Sequence, residues 1–257
     1  VVKYGLSDVY VVNGDIENIK ITYKSDVYLA DRLFQIKKYK LDGNIDISGI
    51  SGKVIVIFGG TSGIGEEISK LAKEYGAIVY VTSKRLGVDI SKYDDVFNYL
   101  QNVNDKEGHI DLVINTAGVL KIGNLESRDI KEISDEISIN YIGSINVSKA
   151  SISFLKKTKG MILLYTSSSY TRGRMLYSIY SSTKAAIVNF MQAISSEFHN
   201  DGIKINAINP ERCATPMRFN AFGKEPEGSL LNPEKVAEVS LKTYASNITG
   251  LVIDVKR

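Results

Sequence analysis

From Lys53 onward, short continuous apolar runs alternate with longer stretches in which apolar residues recur at helical spacing. Continuous apolar runs are typical of strands that a parallel sheet buries on both faces, because helices cover both sides of such a sheet. The pattern predicts an α/β domain over residues 53–257, with a doubly wound parallel sheet and helices on both faces. The predicted strands are 54–58, 78–81, 112–114, 161–165, 203–208 and 251–255, and the predicted helices lie near 64–75, 92–103, 129–156, 178–199 and 233–246.

One connection in this series is short. Only residues 84–88 separate the second predicted strand from the pair Asp89–Ile90. A parallel crossover normally needs a dozen or more residues, so there is no room here for a full helix. We expect this crossover to be trimmed to a loop.

The chain before Lys53 has a different pattern. Residues 9–12 predict a short strand, Gly14 and Asp15 predict a turn, and a helix follows with Ser25 as its N-cap. One strand and one helix cannot bury a core of their own, so residues 1–37 must pack on something else. Residues 38–52 are Lys-rich and then Gly/Ser-rich, which predicts a linker. The apolar positions of the predicted helix are Val27, Ala30, Leu33, Phe34 and Ile36.

Composition narrows the functional classes. The 257 residues are 44% hydrophobic and 24% charged, which excludes wholesale disorder, and a net charge of +3 is too small to predict nucleic-acid binding. Cys213 is the single cysteine, so no intramolecular disulfide is possible and a reducing cytoplasm is expected. No apolar run approaches the ~18–20 residues that span a bilayer. The first residues lack the layout of a signal peptide, there is no initiator Met, and no cluster of residues predicts a metal site.

A glycine-rich turn joins the first predicted strand of the α/β domain to its first helix. Gly59 permits a tight turn, Gly63 lets the backbone approach a pyrophosphate, and Gly65 lets the helix pack closely on the sheet. The helix N-terminus that follows offers free N–H donors to phosphate. The strand-turn-helix context predicts a Rossmann-like nucleotide site. Its residues are Gly59, Thr61, Ser62, Gly63, Ile64 and Gly65.

The spacing G-x-x-x-G-x-G resembles that of the short-chain dehydrogenase/reductase family, in which it marks the NAD(P) turn. The family's usual Thr before the first Gly is Phe58 here. NAD-preferring members carry an Asp at the end of the next strand, whereas this chain has Ser83, Lys84 and Arg85. Two cations without a carboxylate suit a ribose 2′-phosphate, so the resemblance implies NADP(H), although an ordinary basic loop is the alternative. Other positions that match the family's cofactor contacts are Asp89 and Ile90 at the adenine, and Asn115, Ala117 and Gly118 in its N-x-A-G strand end.

The strongest chemical signal is Tyr180 followed four residues later by Lys184, with Ser167 thirteen residues before. Residues four apart share one face of a helix, and an ammonium near a phenol favours the phenolate and lowers its pKa. The resemblance implies that Tyr180 protonates a carbonyl oxygen, that Lys184 lowers the pKa of Tyr180 and holds the nicotinamide ribose, and that Ser167 orients the carbonyl. Asn140 matches the residue that holds a relay water. A shift of one residue would replace Ser167 by Thr166 or Ser168.

The region after the sixth strand is expected to hold the substrate. Pro210 and Thr215 match cofactor positions of the family, Thr215 being the carboxamide contact, while Glu211 replaces the usual Gly and makes the backbone geometry there uncertain. The stretch after Met217 is short, which implies a small lid and a compact substrate. A cationic rim suggests a phosphorylated or carboxylated substrate, with solvated surface charge as the alternative. The rim candidates are Arg172, Arg174 and Arg212, with Arg218 close behind.

The first 36 residues resemble the C-terminal end of cytidylyltransferases that act on methylerythritol phosphate or ribitol phosphate. The matching positions begin at Gly14 and Asp15, continue through Asn18 to Thr22 and include Asp26; Lys20 matches a lysine that reaches phosphates. The CTP-binding part is absent, so this chain is not expected to transfer nucleotides. A cytidylyltransferase joined to a short-chain reductase resembles the bifunctional enzymes of capsule and wall polymer synthesis that make CDP-ribitol.

The resemblance therefore implies the reductase half of such an enzyme, covalently fused to a cytidylyltransferase domain in the full-length protein. Its reaction would be the NADPH-dependent reduction of a small phosphorylated ketose, D-ribulose 5-phosphate, to D-ribitol 5-phosphate. Two alternatives stay open: a general carbonyl or 3-oxoacyl-carrier-protein reductase, and a non-catalytic NADP-binding scaffold. Family members commonly pair through long helices, here near 129–156 and 178–199, so a homodimer or homotetramer is expected, with neither a nucleic-acid nor a membrane partner.

Overall fold

The strands of the α/β unit form one parallel sheet. A computed structural model describes residues 10, 14, 19–36, 38–39, 41 and 45–257. In that part of the chain the sheet has seven strands in the order β1-β7-β6-β5-β4-β2-β3, and every pairing is parallel. The strands are β1 (Lys38–Tyr39), β2 (Val54–Phe58), β3 (Ile78–Thr82), β4 (Leu112–Asn115), β5 (Met161–Tyr165), β6 (Lys204–Pro210) and β7 (Val252–Val255).

Helices cover both faces of this sheet, as the apolar runs predict. The helices are α1 (Lys24–Ile36), α2 (Gly63–Glu74), α3 (Tyr93–Glu107), α4 (Ile130–Ile137), α5 (Gly143–Thr158), α6 (Ser178–Glu197), α7 (Pro216–Phe222) and α8 (Pro233–Ala245). Side chains alternate along a strand, so Val56 and Phe58 of β2 enter the core under α3, α5 and α6, while Ile55 and Ile57 enter the core under α2 and α8. The doubly wound α/β prediction is confirmed.

The single long helix predicted over 129–156 is interrupted. A π-helical turn, Ser138–Ile142, separates α4 from α5, and it places the buried Asn140 at the break. Such turns insert a residue into the helical hydrogen-bond pattern and often occur at functional sites. Asp129 caps α4 by accepting the backbone N–H groups of Lys131 and Glu132, so the predicted start of this helix agrees with the structure to within one residue.

The prediction of a crossover trimmed to a loop after β3 is wrong. A 3₁₀ turn, Lys84–Leu86, ends at Gly87, whose φ is 89°. Asp89 and Ile90 follow outside any strand, so this short segment is only the first part of the connection. The helix α3 then forms a full crossover to β4, and β3 is the edge of the described sheet.

The N-terminal expectations have mixed outcomes. The structure divides into residues 1–37 and 38–257. The strand predicted at 9–12 lies outside the described residues except for Tyr10, and the turn at Gly14–Asp15 except for Gly14. The predicted helix is present as α1, but Ser25 is not its cap. Instead, the carboxylate of Asp26, the third residue of the helix, accepts the backbone N–H groups of Thr22 and Tyr23. An acidic residue at this position of a capping box makes the same kind of contact.

Described residues of the predicted linker belong to the α/β unit. Lys38 and Tyr39 form β1 beside β7, and a 3₁₀ turn at Ser48–Ile50 precedes β2. Ile47 and Ile50 are buried in the core under α2 and α8. The aliphatic residues of this stretch, Leu41, Ile45, Ile47 and Ile50, follow no sustained period among its glycines and serines, which is why the sequence pattern indicated a linker here.

Among the described residues, no helix combines the length and apolar character that crossing a bilayer requires. The His, Cys, Asp and Glu side chains in the same part of the chain form no group of three that could hold a metal ion.

Candidate active site

A cleft of about 1180 Å³ opens at the carboxyl ends of the strands. β2 lies between β3 and β4, so the chain connections reverse direction at this point of the sheet. Ligands of open α/β folds bind in the crevice at such a reversal. The cleft is lined by the glycine turn after β2, the loop after β3, the Ser167 loop after β5, the first turns of α6, and the segment from Pro210 to Phe222.

The glycine turn packs directly against the segment that follows β4. Gly59 has a φ of +79°, and a Cβ added there would lie 2.5 Å from the backbone N of Ala117. A Cβ on Gly65 would lie 2.5 Å from the carbonyl oxygen of Gly59 and 2.5 Å from Oγ1 of Thr116. Only glycine fits at these positions, so the turn packs tightly on the segment after β4 and holds its backbone at the cleft ahead of α2. This arrangement fits a dinucleotide pyrophosphate at the N-terminus of α2.

The loop after β3 differs in detail from its prediction. Lys84 Nζ forms an ion pair of 2.8 Å with Oδ2 of Asp89. Burial opposes ionisation of Asp89, but hydrogen bonds from Lys84 and Ser91 lower the pKa of this carboxyl to about 2. The Asp89 carboxylate therefore offsets the charge of Lys84. The sequence predicted two cations without a carboxylate in this loop, and that prediction is wrong for Lys84. The pairing spans five residues in an irregular loop, so no helical or strand spacing predicts it.

Arg85 keeps its charge available to the cleft. Its Nη2 lies 3.3 Å from Oγ1 of Thr61 in the glycine turn, and no carboxylate pairs with it in the described part of the chain. Beside it, the buried Oγ of Ser83 has no hydrogen-bond partner among the described residues. An unpartnered hydroxyl and an available guanidinium next to the glycine turn fit the ribose end of a nicotinamide dinucleotide.

The remaining predicted cofactor residues fall into two groups. Asp89, Ile90, Ala117 and Gly118 line the cleft. Asn115 lies behind it: its amide donates to Ser144 Oγ at 3.2 Å and its carbonyl oxygen accepts the backbone N–H of Ala117. Asn115 thus braces the strand end and does not face the cleft.

Ser167, Tyr180 and Lys184 all line the cleft. Lys184 Nζ lies 5.4 Å from the centre of the Tyr180 ring, as expected for residues one helical turn apart on α6. The ammonium also donates to the backbone carbonyl oxygen of Tyr165 at 2.9 Å, which fixes its position. Ser167 hydrogen-bonds to the Tyr180 side chain. The Thr166 hydroxyl, by contrast, donates a hydrogen bond to the backbone carbonyl oxygen of Lys184. The structure therefore favours Ser167 over Thr166 as the hydroxyl that meets a ligand.

The protonation of this group differs from the expectation. Burial raises the pKa of Tyr180 to about 12, and the hydrogen bond with Ser167 only partly opposes that effect. Burial also lowers the pKa of Lys184 to about 8. Desolvation therefore dominates the pKa of Tyr180, and the expected lowering of this pKa by Lys184 is not found. At neutral pH Tyr180 holds its proton, which is the state that a general acid requires.

Asn140 does not line the cleft, although it lies next to it. Its side-chain oxygen accepts the backbone N–H of Val119 at 2.8 Å, and its amide donates to the carbonyl oxygen of Val119 at 2.9 Å. This paired contact ties the π-helical turn to the segment after β4. Through Thr183, 3.4 Å away, Asn140 also contacts the helix that carries Tyr180 and Lys184.

The segment after β6 reaches the glycine turn. Thr215 caps α7 by accepting the backbone N–H of Arg218, and its methyl carbon lies 3.3 Å from a Cβ built on Gly63. Pro210 ends β6 and also lines the cleft. Glu211 continues beside β7, since its N–H donates to the carbonyl oxygen of Val255 at 2.9 Å. This position therefore needs no glycine.

Only some of the arginines predicted to bind substrate lie at the cleft. Arg174 and Arg212 line the cleft, whereas Arg172 is exposed and does not. Arg257, at the end of the sequence, joins the rim, and no sequence motif indicated it. Tyr177 and Phe222 are further lining residues that were not anticipated. Their edge-to-face contact, with ring centres 5.8 Å apart, links α6 to α7.

The sequence is similar to those of known oxidoreductases. The profile of the short chain dehydrogenase family matches residues 83–226. The bifunctional ribulose 5-phosphate reductase/CDP-ribitol pyrophosphorylase Bcs1 of Haemophilus influenzae is 45% identical over 249 residues, which are 95% of this chain and 52% of that protein. The chain thus spans about half the length of this relative. Carbonyl reductase family member 4 of Xenopus tropicalis is 27% identical over 79% of this chain and 96% of its own length.

Solved structures share the fold. A 3-ketoacyl-(acyl-carrier-protein) reductase from Brucella melitensis, crystallised with NADH, superposes with a TM-score of 0.74 at 27% identity, covering 80% of this chain and 97% of that chain. The family profile covers more than half of the chain, and the parallel sheet is shared with the solved structure. The chain belongs to the short chain dehydrogenase family of oxidoreductases.

Proposed function

We propose that this domain catalyses the NADPH-dependent reduction of a small phosphorylated ketose, D-ribulose 5-phosphate, to D-ribitol 5-phosphate. The observation that carries the proposal is the 45% identity, over 95% of this chain, to a relative named for ribulose 5-phosphate reductase activity. The arginine-lined cleft supports it, because guanidinium groups suit a phosphate ester.

The residues of the cleft have complementary tasks in this proposal. When bound, the nicotinamide supplies the hydride that reduces the ketone carbon. Tyr180 donates its phenolic proton to the developing alkoxide, and Ser167 hydrogen-bonds to the same oxygen and orients the carbonyl. Lys184, held by the Tyr165 carbonyl oxygen, stabilises the negative charge that Tyr180 acquires as it releases the proton. Asn140 is a positioning residue that braces this group.

We expect Arg85 and Lys84 to contribute unequally to cofactor choice. Replacing Arg85 with alanine should weaken NADPH binding by about 10-fold or more and leave NADH binding nearly unchanged, because a charge-assisted contact to the 2′-phosphate is lost. Lys84→Ala is the matched control. Since Lys84 is already paired with Asp89, its loss should cost NADPH clearly less. Fluorescence titration of each variant with NADPH and with NADH measures how far each substitution weakens the binding of each dinucleotide. Equal losses of NADPH affinity in the two variants would contradict the assignment of Arg85 to the 2′-phosphate.

The pH dependence should report Lys184. Below pH ~8 Lys184 is charged and Tyr180 is protonated, so kcat/KM for reduction should be level. Above pH ~8 Lys184 loses its proton, and kcat/KM should fall about 10-fold per pH unit. Lys184→Arg should be slower but should lose this basic limb, because arginine stays charged. Initial rates from pH 6 to pH 10 would test this, and an unchanged limb in the arginine variant would contradict it.

In this proposal, residues 1–37 are the C-terminal end of a fused cytidylyltransferase domain. The chain spans about half of its bifunctional relative, whose name includes a CDP-ribitol pyrophosphorylase. In the full-length protein the fused domain would consume the ribitol 5-phosphate that this domain makes, during synthesis of a capsule polysaccharide. A homodimer or homotetramer and a cytoplasmic location belong to the same proposal.

The direct test compares NADPH oxidation by three ketones: D-ribulose 5-phosphate, unphosphorylated D-ribulose, and a 3-oxoacyl thioester. We expect turnover with the first and a much lower kcat/KM with the second. Faster turnover of the thioester would instead favour the acyl-carrier-protein reductase alternative. Tight NADPH binding without turnover of any ketone would favour a non-catalytic scaffold.

A further inference from the structure

An ion-pair cluster at the mouth of the cleft includes a carboxylate, that of Glu225, which has no part in the chemistry described so far. The Arg218 guanidinium makes a two-pronged contact with the Glu225 carboxylate, with Nε–Oε2 at 2.7 Å and Nη2–Oε1 at 2.9 Å. Arg212 Nη1 lies 3.5 Å from the same Oε1. The side chains of Arg218 and Glu225 are only 18% and 15% exposed, while Arg212 is 56% exposed. One partly exposed carboxylate thus pairs with two arginines.

The two arginines belong to the cleft, but their carboxylate partner comes from outside it. Arg212 and Arg218 both line the cleft, and Glu225 is not among its lining residues. Glu225 lies in the loop beyond α7, a helix of seven residues with no buried side chain. Partly exposed contacts such as that of Phe222 with Tyr177 hold this helix, so a movement of α7 and its loop would not open a buried core.

The cluster is connected to the proton donor. The Arg218 guanidinium lies 3.8 Å from the centre of the Phe222 ring. Phe222 contacts Tyr177 with ring centres 5.8 Å apart, and Tyr177 contacts Tyr180 with ring centres 6.3 Å apart. The charge of Arg218 also acts on Tyr180, lowering the pKa of its hydroxyl slightly against the effect of burial. A compact substrate whose carbonyl meets Tyr180 therefore has Arg218 within its electrostatic reach.

We propose that Arg218, assisted by Arg212, binds the phosphate of the substrate and that Glu225 occupies this phosphate subsite until the substrate displaces it. The guanidinium fork that holds a carboxylate in two-pronged geometry holds a phosphate in the same way. A phosphate monoester carries ≈ −1.5 to −2 charge and three acceptor oxygens, so it competes well with a single carboxylate. This subsite rests on the proposed function, because it assigns the phosphate of that substrate.

The arrangement has a consequence for specificity. An unphosphorylated ketose cannot displace Glu225, so the cluster stays closed and the sugar gains nothing from the two arginines. A phosphorylated ketose must break the Glu225 contact, so Glu225 lowers its apparent affinity but leaves the chemical step unchanged. Removing the negative charge at Glu225 should therefore tighten substrate binding, whereas removing the Arg218 fork should weaken it.

Three variants test this with NADPH saturating, so that the cofactor site is filled. Glu225→Gln should lower the KM for D-ribulose 5-phosphate by about 3- to 10-fold with kcat near that of the wild type, because it relieves competition for the arginines. Arg218→Ala should raise the KM by about 30- to 100-fold, and Arg218→Lys by about 10-fold, because lysine keeps the charge and loses the fork. Arg172→Ala, outside the cleft, is the control. Inorganic phosphate as a competitive inhibitor should follow the same order.

Two results separate this inference from the function on which it rests. If the wild type reduces D-ribulose 5-phosphate but the Arg218 and Glu225 variants match Arg172→Ala in KM and in phosphate inhibition, the subsite is wrong and the function stands. If no variant reduces this ketose, the function is wrong. Calorimetric titration of the NADPH-loaded proteins with inorganic phosphate then tests whether Arg218 binds phosphate in competition with Glu225. Tighter binding by Glu225→Gln and weaker binding by Arg218→Ala support it, and equal affinities overturn it.

Discussion

Replacing Tyr180 with phenylalanine is expected to lower kcat for ketone reduction by about 10²- to 10⁴-fold, the usual contribution of a positioned general acid. The variant removes one oxygen from a side chain that contacts Ser167 and lies beneath Lys184, and it leaves the ring in place. NADPH should still bind, since the glycine turn and Arg85 are untouched. The loss should therefore fall on kcat and not on the dissociation constant of the cofactor.

Single-turnover reduction and NADPH titration measure these two quantities separately. Tyr93→Phe is the matched control, because it removes the same atom from a partly exposed tyrosine at the start of α3. It should behave as the wild type. A Tyr180→Phe variant with full activity would remove Tyr180 from the proposed proton transfer.

The second large effect is expected at Gly59. A Cβ there meets three backbone atoms between 2.5 and 2.9 Å away, and the φ of +79° is unfavourable for any L side chain. Gly59→Ala should lower the free energy of unfolding by about 2–4 kcal/mol and weaken NADPH binding by at least about 10-fold. The glycine turn must shift away from Ala117, which displaces the backbone that faces the pyrophosphate.

Gly108→Ala separates the two causes. Gly108 has nearly the same φ, +80°, but nothing lies within 4 Å of an added Cβ. This variant should cost only about 1 kcal/mol and should bind NADPH normally. Chemical denaturation and dinucleotide titration of both variants test the prediction. Equal losses of stability and of cofactor affinity would show that backbone strain, and not the contact with Ala117, sets the effect at Gly59.

Sequence patterns predicted the parts of this molecule that depend on local periodicity. Buried parallel strands are continuous apolar runs, so β2 and β5 were predicted to the residue. Tyr180 and Lys184 share a helix face at a spacing of four, and Gly59 and Gly65 stand where only a residue without a Cβ fits. In each case one short segment carries the whole physical reason.

Features that depend on contacts between distant or irregular segments were not predictable in this way. The π-helical turn at Ser138–Ile142 interrupts a helix whose apolar spacing continues across it. Two ion pairs, Lys84 with Asp89 and Arg218 with Glu225, each join a short helical segment to an irregular segment. The charged residues there follow no regular spacing that would predict the pairs. The net direction of the Tyr180 pKa depends on burial by several elements, and spacing to Lys184 carries no information about that burial.

The most direct test of the account is the product formed from D-ribulose 5-phosphate and NADPH. Purified protein should convert the ketose to a pentitol phosphate in a one-to-one ratio with the NADPH consumed, as measured by mass spectrometry beside cofactor absorbance. The Tyr180→Phe variant should form product at a rate about 10²- to 10⁴-fold lower. NADPH consumption without a pentitol phosphate, or no consumption by a protein that binds NADPH tightly, would contradict the proposed reduction of a phosphorylated ketose.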